Sequence, residues 1–243
     1  MKFCLKQHPA VYSYIVDSLQ TASCCLRQNQ MIHTDFYRSR LPHIQPLGGT
    51  FFVTTRLHGS IPQIEKQRLS EDYLFRKQQI LARRDYSSNE LDRLTRQYFT
   101  AYETILEKSD FGPKWLGIDA VAKQVASALH YFDGKRYELI AYCLMSNHIH
   151  AVFTLVDGEE SSTFSLQQVM YSLKSFTASK CDELLDRTGP FWEHESYDRL
   201  VRDRNELYRI VQYVLQNPVK AGLCRRWQDW QRTYIKSEYN DFE

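Results

Sequence analysis

Two histidines, His148 and His150, stand one residue apart inside the otherwise apolar run YCLMSNHIHAVFTL, Tyr142 to Leu155. In an extended strand successive side chains point to opposite faces, so both imidazoles face the same way, roughly 6.5–7 Å apart along the chain. Two imidazoles at that spacing can converge on one metal ion. A pair of hydrogen-bonded or surface histidines accounts for H-x-H equally well, so the pair needs corroboration from elsewhere in the chain.

The segment after Asp203 supplies some. Leu207, Ile210, Val211, Val214 and Leu215 form an apolar stripe at helical spacing. At about 100° per residue Tyr213 falls off that stripe, on the side it shares with Glu206 and Asn217. Tyr213 and Asn217 are i and i+4, so they lie on one helix face about a turn apart. The core does not need a tyrosine there, although a boundary residue covering the helix flank would also explain it.

These residue types together suggest phosphodiester chemistry. The carboxamide oxygen of Asn217 and the two imidazoles make a nitrogen–oxygen donor set suited to Mg²⁺ or Mn²⁺. Such an ion polarises a phosphodiester and stabilises the leaving oxygen. A phenol has a pKa near 10 and is a weak nucleophile without that help. With it, Tyr213 becomes a candidate nucleophile whose product is a phosphotyrosine link to DNA. Two other functions stay open: a metal-dependent hydrolase that uses water with Tyr213 as bystander, and a DNA-binding protein that does not cut. Tyr197, in ESYD, is a rival nucleophile, but it lies in a strand and lacks an amide at i+4. His194, two residues after Trp192, reads as structural.

The elements that must position these residues follow from periodicity and punctuation. Thr50 to Leu57 (TFFVTTRL) is rich in β-branched and aromatic residues and reads as a strand, after a Pro- and Gly-punctuated loop from Arg38 to Gly49. Ser60 to Asp110 is highly charged, has apolar residues at helical intervals and breaks at DYSSN, which predicts two antiparallel helices with their charges on a solvated face. Ile118 to Tyr131 is an amphipathic helix with Asp119 as the expected N-cap. Residues 136–145 and 146–156 read as strands, 166–185 as a helix and 189–201 as a fourth strand. A last helix opens at Asp203 with a capping-box-like D-x-x-E and is expected to stop at Asn217-Pro218. Without the inserted helical hairpin, the order is an α+β, ferredoxin-like βαββαβ antiparallel sheet with a C-terminal helix, the one that carries Tyr213. The expected division is an N-terminal extension, 1–37, and a domain, 38–243, with the insertion at 59–113.

Composition narrows the function classes. Of 243 residues, 43% are hydrophobic and 25% charged, so the chain can bury a substantial core. A net charge of only +2 argues against a protein that coats nucleic acid non-specifically, though not against a local basic groove. The six cysteines form no C-x-x-C pair and read as reduced thiols of a cytosolic protein. No segment reaches the ~20 apolar residues of a membrane span.

The ordered set RSRLPHIQPLGGTFFVTTRL, GPKWL, AYCLMSNHIHAVF, SLKSFTA, FWEHESYDRLVRD and YVLQNPVKAGL resembles the single-tyrosine HUH transposases of the IS200 type, most nearly their REP-associated relatives. The matching residues run from Arg38 to Leu223, about three-quarters of the chain. Two histidines two elements upstream of Y-x-x-x-N-P-V-K-A-G are far more specific than H-x-H alone. The resemblance implies a ferredoxin-like fold and metal-dependent cleavage and rejoining of single-stranded DNA through a 5′-phosphotyrosine. It also implies His148 and His150 as metal ligands, Tyr213 as nucleophile and Asn217 at the third-ligand position. The stretch before the first histidine is Met145-Ser146-Asn147 where the family has Met-Pro-Asn, which touches no inferred ligand.

Further candidates contact DNA: Lys174, Ser175 and Arg202 for backbone phosphates, Arg38, Arg40 and His43 for single-stranded bases or a hairpin foot, and Lys220 for a phosphate or for the helix end. The expected partner is single-stranded or hairpin DNA bearing short palindromes. The expected state is a monomer or homodimer in the cytoplasm, at the nucleoid, with no membrane contact.

Overall fold

The computed structural model describes residues 34–38, 42–46, 48–108, 111–156 and 164–242. Strands β1 (Thr34–Arg38) and β2 (Pro42–Pro46) pair as an antiparallel ribbon. They are followed by β3 (Thr50–Arg56), α1 (Gln63–Leu81), α2 (Ser88–Lys108), α3 (Asp119–Phe132), β4 (Tyr137–Leu144), β5 (His148–Leu155), α4 (Leu166–Leu185), β6 (Tyr197–Leu200), α5 (Arg204–Lys220) and β7 (Thr233–Ile235). The main sheet has the order β6-β3-β5-β4-β7, with every neighbouring pair antiparallel. Without β7, this is the 4-1-3-2 order of a ferredoxin-like βαββαβ unit, as the succession of elements predicts.

Strand alternation divides the sheet into two apolar faces. Phe51, Val53, Ile149, Ala151 and Phe153 point towards α3 and α4, where they meet Val121, Val125, Leu129, Val169 and Leu173. Phe52, Ala141, Cys143 and Val152 point the other way, against Ile210, Val211, Val214 and Leu215 of α5. An irregularity in β4 between Leu139 and Ala141 lets Ile140 and Ala141 both face α5. Val214 and Leu215 are fully buried, and burying such side chains stabilises by about 1.5–3 kcal/mol each. That anchoring fixes the rotation of α5, and so the direction in which Tyr213 and Asn217 point.

The helical hairpin α1–α2 is inserted between β3 and α3. Its neck is tight: Gly112, at φ +79°, runs so close to the Gly59 carbonyl that a Cβ would collide with that backbone. The hairpin docks on the α5 side of the sheet. Phe99 of α2 stacks on Tyr197 with ring centroids 3.9 Å apart and meets Phe52 edge-on at 5.6 Å. Lys66 of α1 pairs with Glu193 at 2.9 Å, and Glu193 also holds the buried Arg56 of β3 at 2.8 Å. Arg56 donates to Tyr102 of α2 as well.

Several expectations need correction. The loop expected after Arg38 contains β2, and the expected fourth strand pairs only at Tyr197–Leu200, apart from one bridge between Leu57 and Trp192. Helix α5 runs through Pro218 to Lys220 rather than stopping before the proline. It ends where Gly222, at φ +70°, lets its own N–H donate to the Val219 carbonyl and the Leu223 N–H donate to that of Pro218. Ile118, not Asp119, is the N-cap of α3. Asp203 does cap α5, accepting from the Glu206 N–H at 2.8 Å, but the Glu206 carboxylate accepts from the Arg202 N–H instead of closing a capping box. Strand β7 was not anticipated. Residues 1–33 of the expected N-terminal extension lie outside the described residues. Cys143, Cys181 and Cys224 are free thiols, and no described helix is long and apolar enough to cross a membrane.

Candidate active site

Both histidines of β5 point to the α5 side of the sheet and are buried, at 1% and 0% exposure. Their inner ring nitrogens are held by neighbours. Asn147 Nδ2 donates to the Leu106 carbonyl at 3.2 Å, which leaves Asn147 Oδ1 to accept from His148 Nδ1 at 2.7 Å. Thr54, opposite His150 in the β3–β5 register, places its hydroxyl 2.8 Å from His150 Nδ1. Hydrogen bonds on Nδ1 are how metal-binding histidines are commonly oriented, and here both Nε2 atoms face one point, 3.1 Å apart.

Helix α5 brings its pair to the same point. Asn217 is fully buried, with Nδ2 3.1 Å from His150 Nε2 and 3.4 Å from Glu107 Oε1. The Tyr213 ring lies edge-on to His150 at 5.3 Å and to Phe52 at 5.9 Å. The Lys220 ammonium sits 4.5 Å from the centroid of the Tyr213 ring.

The inserted hairpin adds a residue that the sequence did not identify. Glu103 of α2 is buried, and its Oε2 lies 3.1 Å from His150 Nε2 and accepts from the Tyr213 hydroxyl at 2.7 Å. The expectation that the hairpin's charges form a solvated face fails at this position. One clue was available: Phe99, Glu103 and Leu106 are i, i+4 and i+7, so an acid interrupts the apolar stripe of α2.

The electrostatics follow from burial and these contacts. Burial and then the charge of His150 pull the His148 imidazole down to about 3. Burial acts to raise the Glu103 carboxyl, but the charge and hydrogen bond of His150, with His148 and Tyr213, outweigh it and hold the group ionised below the usual carboxylate range. Burial first, then the Glu103 charge and hydrogen bond, push the Tyr213 phenol well above its ordinary value. Without a counter-charge, then, the site holds Tyr213 as a neutral phenol.

The donor set fits a divalent cation. Glu103, His148 and His150 form a buried group whose ligand atoms lie within 4.8 Å of one another. Glu103 Oε1 and Asn217 Oδ1 are buried oxygens without a hydrogen-bond partner, and leaving such an atom unsatisfied costs about 1–3 kcal/mol. Two imidazole nitrogens and a carboxylate in one place, with an amide side chain against them, suit an ion that prefers mixed nitrogen and oxygen ligands.

The remaining candidates lie elsewhere. Lys174 donates to the Glu193 and His194 carbonyls at 2.6 and 2.8 Å, and burial lowers its ammonium to about 8. Together with Ser175 and His194 it lines a groove of about 700 Å³ between α4 and residues 189–198; His148 and His150 are not among its walls. Arg202 pairs with Asp92 of the hairpin. Arg38 and His43 lie on the β1–β2 ribbon, and Arg40 lies outside the described residues. Tyr197 stacks on Phe99 beside the site, and burial pushes its phenol up.

No family model matches the chain. It is 27% identical over 94 residues to the REP-associated tyrosine transposase of Escherichia coli K12, a match covering 39% of this chain and 52% of that protein. It is 22% identical over 99 residues to the Haemophilus influenzae protein named "Putative REP-associated tyrosine transposase", covering 39% and 56%. The chain thus spans about half the length of the curated relatives it matches. A solved structure, described as that of the REP-associated tyrosine transposase bound to a REP hairpin, matches with a TM-score of 0.47 and 16% identity over 82% of this chain and 81% of that one. The two curated matches agree with the family resemblance carried by the motifs.

Proposed function

We propose that this chain, a relative of the REP-associated tyrosine transposases, cleaves and rejoins single-stranded DNA beside short palindromes through a 5′-phosphotyrosine intermediate. One observation carries the reading. The Tyr213 hydroxyl, His148, His150 and Asn217 come from two separate elements and meet in one buried cluster, linked by contacts of 2.7–3.1 Å through Glu103 and His150. Binding DNA without cutting it requires none of these residues.

His148, His150 and Asn217 would hold the cation, Mg²⁺ or Mn²⁺, which when bound supplies charge to polarise the scissile phosphate. The chain's own groups do the rest. Helix α5 aims the Tyr213 hydroxyl, and Glu103 Oε2 already accepts its hydrogen bond, so the phenolic proton has an acceptor in place. The phenol oxygen forms a bond to phosphorus, the P–O3′ bond breaks, and the 3′ oxygen leaves as a hydroxyl carrying the proton released by the phenol. Attack by a 3′-hydroxyl on the phosphotyrosine reverses these steps and frees Tyr213. Lys220, beside the Tyr213 ring, adds positive charge near the developing phenolate.

A labelled single-stranded oligonucleotide containing a hairpin tests the proposal. The wild-type chain with Mn²⁺ gives a protein–DNA adduct that survives denaturation, whereas Tyr213→Phe and chelation each abolish it. Adducts persisting in Tyr213→Phe would sink the assignment. A free 5′-phosphate without adduct would indicate hydrolysis by water, and binding without cleavage would indicate a recognition protein.

A further inference from the structure

The inserted hairpin is not part of the βαββαβ framework, yet it reaches the one place where both histidines and the tyrosine meet. Glu103 is the buried acid of α2, and its two oxygens have different surroundings. Oε2 is occupied, accepting from Tyr213 at 2.7 Å and lying 3.1 Å from His150 Nε2. Oε1 is buried with no partner, as is Asn217 Oδ1. An ionised carboxylate is an expensive group to bury, and it is retained in an interior only where a positive charge or several donors compensate it. One phenol and one imidazole contact leave half of this carboxylate uncompensated. The same carboxylate shares its cluster with two imidazole nitrogens, against which the Asn217 amide packs.

We infer that Glu103 is a ligand of the metal centre, supplied by the insertion, and that its second oxygen ties the Tyr213 hydroxyl to that centre. The inference rests on the metal-dependent reading above and deepens it. The site then has four protein ligands from three elements: β5, α5 and α2. An anionic ligand compensates the divalent charge better than the neutral set of two imidazoles and one amide. Because α2 provides it, ion binding and hairpin docking stabilise each other, and by linkage each strengthens the other by the same factor. The docking contacts converge on this end of α2: Asn147, which orients His148, also holds the Leu106 carbonyl one turn beyond Glu103.

Mn²⁺ binding to the full chain, followed by calorimetry and by hydrogen exchange, tests this without reference to activity. In Glu103→Gln, near-isosteric and able to keep a hydrogen bond to Tyr213, Mn²⁺ affinity falls by about tenfold or more, as expected when a metal site loses a supporting group. In the wild-type chain Mn²⁺ slows amide exchange across Ser88–Lys108; in Glu103→Gln it does not. If Glu103→Gln binds Mn²⁺ as tightly as wild type while His148→Ala loses binding, Glu103 is no ligand and the histidine-based metal centre still stands. If wild type binds no divalent metal, both readings fall. The wild-type exchange experiment does not depend on the variant's folding. Protection confined to His148–Leu155, with Ser88–Lys108 unchanged, also overturns the inference.

Discussion

The Tyr213 hydroxyl donates to Glu103 Oε2 over 2.7 Å, joining residues 110 positions apart, one on α5 and one on the inserted α2. The contact makes α5 more than a packing helix and the inserted hairpin more than a solvated decoration. It also separates Tyr213 from Tyr197, whose half-buried ring stacks on Phe99.

That difference yields a paired prediction. Tyr213→Phe removes one hydrogen bond and no packing, so stability changes by only about 0.5–1.5 kcal/mol while covalent adducts disappear. Tyr197→Phe keeps its stack on Phe99 and keeps adduct formation within a few-fold of wild type. Adduct yield on a hairpin oligonucleotide, measured alongside thermal unfolding of each variant, checks both. Adducts lost in Tyr197→Phe and kept in Tyr213→Phe would reverse the assignment.

Asn147 orients His148 without facing the cluster itself. Asn147→Ala removes the acceptor of His148 Nδ1 and the donor to the Leu106 carbonyl, freeing the ring to turn. Mn²⁺ affinity should fall about 10–100-fold, the usual cost of losing an outer partner of a ligating histidine. Titration calorimetry reads this directly, and unchanged affinity would show that packing alone orients the ring.

Arg56 holds the hairpin to the sheet from inside. It is 2% exposed and contacts Glu193, Tyr102 and Ser60. Arg56→Ala leaves Glu193 with Lys66 as its remaining cationic partner and empties a large buried volume, so the loss approaches but does not exceed the about 3–5 kcal/mol that breaking a buried pair costs. Denaturant titration should show that loss, together with faster amide exchange in α1 and α2.

How much of this was legible in the sequence varies with the physics of each part. β-Branched and aromatic richness in Thr50–Arg56 and the apolar run around His148–Leu155 declare the sheet, and strand geometry then puts His148 and His150 on one face. The i, i+4 placement of Tyr213 and Asn217 is equally local. Glu103 was hidden because a charge in a highly charged helix looks solvated until the partner surface is known. Pro218 misplaced a boundary because a proline costs a helix its hydrogen bond to the carbonyl four residues back, yet packing of Val214 and Leu215 outweighs that loss and decides where α5 ends. Strand β7 has three residues, too few to show a period, and exists because the edge of β4 at Ala141–Cys143 offers it partners.

The buried histidine makes the metal-free protein sensitive to acid. His148 is lowered to about 3 in the fold from an ordinary value of 6.5. Between those values the unfolded chain binds a proton at this residue and the folded chain does not, so stability rises with pH across the window and falls as pH drops from about 6.5 towards 3. The limiting slope for one such group is about 1.4 kcal/mol per pH unit. Glu103, held below its ordinary 4.5, adds a loss in the same direction at the acid end, because the unfolded carboxylate protonates first. Urea midpoints of the chelator-treated chain, measured from pH 7.5 down to about 4, should therefore decline steadily. His148→Gln keeps a polar side chain but cannot take up that proton, so its decline between pH 6.5 and 5 should be shallower by up to that slope. Parallel curves for variant and wild type would show that His148 is not held neutral by its burial.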